Sequence, residues 1–74
     1  MNKISINQKF GLTVDEAAAY TGIGRNTLRT LIRQGKLPAL CIGKKNVIRT
    51  DVLEHFLTVN QGVNLLDIES VKNV

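Results

Sequence analysis

A chain of 74 residues is a single domain with a small core, close to the lower limit of what folds without staples. Its 43% hydrophobic content is that of a chain able to fold, its 4% aromatic content argues against a base-stacking surface for single strands or RNA, and it holds no apolar run long enough for a membrane span or a secretion signal. The net charge is a modest +4, but the window from Ala17 to Thr50 holds seven Lys or Arg and no acid, while all six acids lie outside it; such a stretch marks a surface for an anionic partner.

Met1 to Gly11 is mixed and aperiodic and reads as a flexible arm, with Ile4, Ile6 and Phe10 available to pin it and Phe10 with Leu12 to staple the entry to the first helix. The domain proper spans residues 12–61. Thr13 and Glu16 stand at the spacing of a capping box, and Val14, Ala17, Ala18 and Thr21 then share one helical face of small side chains. Gly22-Ile23-Gly24 is a turn that sends Ile23 to the core. A second helix from Arg25 to about Gln34 stops at Gly35, the residue favoured just past a helix end. Leu28, Leu31 and Ile32 form its buried face, and Arg25, Arg29 and Arg33 recur every four residues on the other, with Asn26 and Thr30 beside them. Two short helices joined by a Gly-containing turn have the layout of a helix-turn-helix.

Pro38 forbids helix continuation and holds Leu37 extended. Ala39–Ile42 and Val47–Arg49 are short β-prone runs separated by Gly43-Lys44-Lys45-Asn46, a hairpin with two lysines at its tip. Directly after a helix-turn-helix such a hairpin is a wing, able to rest on a phosphate backbone or enter the minor groove. Thr50 or Asp51 then caps a third helix, Asp51 and Glu54 repeating the box spacing in acidic form, with Val52, Leu53, Phe56 and Leu57 on its apolar face and its end near Val59 to Gln61. Residues 62–74 form a tail with room for a short helix. A core closed by Leu28, Leu31, Ile32, Leu53, Phe56 and Leu57 leaves Leu65, Leu66, Ile68 and Val71 without an evident place, which favours a tail that orders on a protein partner over one that folds back as a fourth helix. The fold class is mainly α with a small β-hairpin, a winged helix-turn-helix.

The run LTVDEAAAYTGIGRNTLRTLIRQGKLPA followed by IGKKNVIRTDVLEHFL resembles the excisionase-type DNA-binding domain, a MerR-like winged helix-turn-helix. It is most similar to the excisionases of conjugative transposons and to short regulators of integrated elements. The resemblance covers about Leu12 to Leu57. This chain departs from it at Gly24, where such proteins often carry a capping Ser, and at Val52-Leu53 after Asp51. The resemblance implies duplex DNA as ligand, with the second helix in the major groove and the wing alongside. It further implies bending at the ends of a mobile element, with a site-specific recombinase (integrase) or adjacent copies of the chain as protein partners. A transcriptional regulator of a mobile element or prophage, using the same surface, is the alternative. A protein-interaction module that ignores DNA is the third reading, and the Arg stripe speaks against it.

The candidate DNA-binding residues are Arg25, Asn26, Thr27, Arg29, Thr30 and Arg33 on the second helix and Lys44, Lys45, Asn46 and Arg49 on the wing. No acid stands at i±4 to neutralise the Arg stripe, as on a merely solvated helix. Arg25 and Asn26 lie at the helix start, where Arg suits guanine and Asn adenine. Arg33, Lys44 and Lys45 suit phosphate, whereas Arg49 also has Asp51 and Glu54 within reach. Tyr20 reads as a half-buried core residue and Cys41 as an inert, partly exposed thiol. One Cys and one His supply neither a disulfide nor a zinc site, no nucleophile has a His partner, and no Gly-rich phosphate loop is present. The expectation is a non-enzymatic, cofactor-free, cytoplasmic, nucleoid-associated prokaryotic protein with no membrane contact and no small-molecule ligand.

Overall fold

The computed structural model describes residues 10–74; the expected arm through residue 9, with Ile4 and Ile6, lies outside them. The elements are β1 (Gly11–Thr13), α1 (Val14–Thr21), α2 (Arg25–Arg33), β2 (Leu40–Ile42), β3 (Lys45–Arg49) and α3 (Thr50–Val59), followed by a single 3-10 turn at Ile68–Ser70. The capping box at the start of α1 is made as the spacing predicts. Thr13 Oγ1 accepts from the Glu16 N–H at 3.1 Å, and Glu16 Oε1 accepts from the Thr13 N–H at 3.0 Å. Gly22 ends α1 in the left-handed region at φ 79°, where a side chain would be strained, and donates its N–H to Ala18 O at 2.8 Å. Thr21 Oγ1 braces the turn, donating to Ala17 O and accepting from the Ile23 N–H, so that Ile23 packs against the core. Past α2, Gly35 N–H donates to Ile32 O and Lys36 N–H to Leu31 O, the paired bonds of a Schellman motif. This turn doubles the chain back so that Leu37 is fully buried, a core residue the sequence did not announce.

The hairpin is present, but it belongs to a three-stranded antiparallel sheet in the order β1-β3-β2. Residues 11–13, read as the end of an arm and a helix entry, pair with the far side of β3: Gly11 with Arg49, Leu12 with Ile48, Thr13 with Val47. A three-residue strand is too short to show a period of two, and its partner lies far along the chain. The strand also separates Phe10 from Leu12. Leu12 is in the core and Phe10 is exposed, so the two do not act together as a staple. At the other end of β3 the connection is shorter than expected. Lys45 and Asn46 are strand residues, and the tip is Gly43-Lys44 alone, with positive φ at Gly43 only, the pattern of a II′ turn. Because strand side chains alternate, Leu12 and Ile48 face the helices while Leu40, Val47 and Arg49 share the outer face.

The core is Leu12, Val14, Ala17, Leu28, Leu31, Leu37, Ile48, Leu53, Phe56 and Val71. The third helix is entered differently from expectation: its N-cap is Arg49, with no side-chain cap. Asp51 accepts instead from its neighbour's N–H on Val52 and from the Arg49 guanidinium, and Glu54 is turned away to accept the Tyr20 O–H at 2.8 Å. Tyr20 is accordingly a surface residue rather than a core one, and this hydrogen bond to Glu54, with the carboxylate's charge, raises its pKa.

The tail folds back. Val71 is 3% exposed and part of the core, and Val63, Leu65, Ile68 and Val74 pack against it. The latch is Asn60 at the end of α3, 5% exposed, whose Nδ2 donates to Phe56 O and Lys72 O and whose Oδ1 accepts from the Lys72 N–H at 2.7 Å. The expectation that Leu65, Ile68 and Val71 lack a place in the fold is corrected, whereas Leu66 does stay exposed: the gap the three fill is non-local and left no mark in the periodicity of the helices.

Candidate nucleic-acid interface

Sequence and caps fix how α2 is presented. Leu28 and Leu31 anchor it, Thr27 and Thr30 are half-buried at its flank, and Arg25, Asn26, Arg29 and Arg33 are exposed. Gly24 precedes it in an extended conformation with no side-chain cap. The first N–H groups of the helix are therefore free of a side-chain acceptor and available to an anion such as a phosphate.

On one flank of α2 an open cleft of about 280 Å³ is lined by Thr13, Val14 and Asp15 from the start of α1, Arg29 from α2, and Lys44, Lys45 and Asn46 from the wing. The β1–β3 pairing builds it, because Thr13 sits opposite Val47 and brings the wing to the helical hairpin. Three cations from elements distant in sequence thus share one concave surface. Asn46 is also held by Cys41, whose exposed Sγ donates to Asn46 Oδ1 at 3.2 Å. Asp15 at the rim pairs with Arg25 at 3.3 Å, both side chains being about two-thirds exposed (62% and 67%). This partner lies on α1, so the i±4 spacing along α2 does not reveal it. So exposed a pair costs at most ~1 kcal/mol to open.

The remaining predicted residues divide. Arg33, in the last turn, lies with its guanidinium 3.4 Å from Thr30 Oγ1. Arg49 is outside the cleft, on the outer sheet face beside Leu40, Val47 and Val52. It donates from Nε and Nη2 to the two Asp51 oxygens at 3.1 and 3.0 Å. Desolvation pulls the Asp51 carboxyl upward, but the Arg49 and Val52 hydrogen bonds and the guanidinium charge together hold it below its ordinary value. Asn26, Thr27 and Thr30 border a second groove on the other flank, completed by Leu65, Leu66 and Ile68 of the tail. The apolar residues 65, 66 and 68 were visible in the sequence, but nothing local signals that they run beside this helix.

Among the described residues no three His, Cys, Asp or Glu side chains converge as metal ligands would, and no helix is long and apolar enough to cross a membrane. No curated protein and no solved structure matches the chain. A family model for the helix-turn-helix domain matches residues 12–61, the span that carries the two-helix hairpin, the basic cleft and the helix that closes the core. With fold, exposed basic helix and family model in agreement, the chain belongs to the helix-turn-helix domain family, whose fold supports DNA binding.

Proposed function

We propose that the protein binds duplex DNA sequence-specifically and acts as an excisionase, a recombination directionality factor that bends the ends of a mobile element and helps a site-specific recombinase excise it. The observation that carries the DNA part is the cleft in which Arg29 meets Lys44 and Lys45 beside the exposed face of α2. In this reading α2 enters the major groove. Arg25 and Asn26 read base edges, Arg29 and Thr30 follow one turn on, and Arg33, Lys44 and Lys45 grip the backbone. Arg25 leaves Asp15 for a base, and Arg49 stays with Asp51. Support for excision comes from the resemblance of the residues from Leu12 to Leu57 to excisionases of conjugative transposons. Footprinting across both ends of the host element tests it. Protection in tandem sites beside the recombinase sites is the expected result, whereas protection over a promoter alone makes the protein a transcriptional regulator with the same DNA surface.

A further inference from the structure

The groove between α2 and the tail joins the base-reading flank of α2 to an unexplained apolar surface. Leu66 is 77% exposed, yet it is not on a free end. Its N–H donates to Asn64 Oδ1 at 3.0 Å, Asp67 N–H returns to Asn64 O at 3.0 Å, and the loop is held downstream by Val71 in the core and by the Asn60–Lys72 hydrogen bonds. A leucine kept in water by a built loop leaves apolar surface uncovered that burial elsewhere would have stabilised. It shares its groove with Asn26, Thr27 and Thr30 of the helix offered to DNA.

The major-groove edge of an A·T pair presents two features together: the adenine N6/N7 pair that an asparagine reads, and the thymine 5-methyl group that an apolar side chain reads. Asn26 supplies the first, and Leu66 beside it supplies the second. We infer that Leu66 is a specificity-determining residue that packs on a thymine methyl at, or one step from, the base pair contacted by Asn26. The inference rests on the reading of α2 as the major-groove helix. It gives the tail a part in recognition that the two-helix hairpin and wing lack.

The test uses the full chain and its preferred duplex, selected from a randomised pool. Each thymine is replaced in turn by uracil, which keeps every hydrogen bond and removes only the methyl. Wild type should lose ~3- to 5-fold in affinity at one or two thymines, the effect of one methyl leaving an apolar contact. These should fall where Asn26→Ala relaxes base preference. Leu66→Ala should bind thymine and uracil duplexes equally at those positions. Leu40→Ala, which trims an exposed leucine on the outer sheet face, should discriminate as wild type does. Discrimination that survives Leu66→Ala belongs to the Thr27 or Thr30 methyls and overturns the inference, as does wild type that ignores the replacement everywhere. Both results leave DNA binding itself standing. A chain that selects no duplex at all overturns the DNA reading and this inference with it.

Discussion

Replacing Asn60 by alanine should unlatch the tail and cost a large share of the stability of so small a domain. The side chain makes two hydrogen bonds to the Lys72 backbone, at 3.0 and 2.7 Å, and a third to Phe56 O at 2.9 Å. At about 1 kcal/mol for each bond, and with the partners left in a partly closed space, the loss comes to about 2–3 kcal/mol. In a domain of this size that lowers Tm by on the order of 10–15 °C. Thermal unfolding followed by circular dichroism measures it, and a cycle with Val71→Ala gives it meaning. Val71 is the tail's own anchor in the core, so once either side chain is cut the tail has already lost its hold. The double variant should then fall short of the sum by about 1 kcal/mol. A drop of less than about 3 °C for Asn60→Ala, or strict additivity with Val71→Ala, would refute the account of the tail as a latched part of the fold.

Salt should weaken DNA binding steeply: about four backbone contacts from Arg33, Lys44, Lys45 and the uncapped start of α2 give a log–log slope near −4, and a slope shallower than about −2 would remove the basic cleft from the interface. Arg25→Ala or Asn26→Ala should cost roughly 1–3 kcal/mol and relax preference at one base pair, whereas Lys44→Ala and Lys45→Ala weaken all sequences alike; competition with mutated duplexes separates the two. Arg49→Ala should leave that slope within about half a unit of wild type, because Arg49 faces away from the cleft. Its pair with Asp51 holds at neutral pH, since a carboxyl lowered in the fold contributes above its ordinary pKa and loses the contribution only as pH falls through the lowered value; a paired Arg49 at pH 7 that is freed only in acid, read by NMR of the guanidinium, is the expected result. Gly24→Ser should stabilise the protein by roughly 0.5–1 kcal/mol, since Gly24 is extended with open space around a built Cβ and the hydroxyl can cap α2; an unchanged or lower Tm would argue against that cap.

What could be read from the sequence is what neighbours in the chain decide. Thr13 with Glu16, Gly22, and Gly35 past α2 are local devices, and each fixes its helix end as the spacing predicts. The exposed Arg stripe follows from a period of 3.6 and needs no tertiary information. By contrast β1, Leu37 and Val71 owe their places to partners that sequence order does not indicate: Arg49 and Val47 for β1, the returning Schellman turn for Leu37, and Asn60 for the strand of chain that carries Val71. The candidate site shows the same division. Its helix half was legible, but the meeting of Arg29 with the wing lysines, the Asp15 partner of Arg25 and the apolar flank at Leu66 all depend on how distant segments come together.

The central position of β3 also has a bearing on synthesis. The helical hairpin of α1 and α2 and the β2–β3 ribbon are each built from near neighbours, and the stitch of Gly11–Thr13 to Val47–Arg49 closes one upon the other. Such a long closure loses chain entropy before its contacts form, so it follows the local pieces rather than leading them. On the ribosome, Leu12 emerges long before Ile48, the residue it will pair beside, and the first strand must wait in water until the wing has been made. The cleft between them comes into being only at that last closure, so a nascent chain carries the basic residues without the surface that joins them.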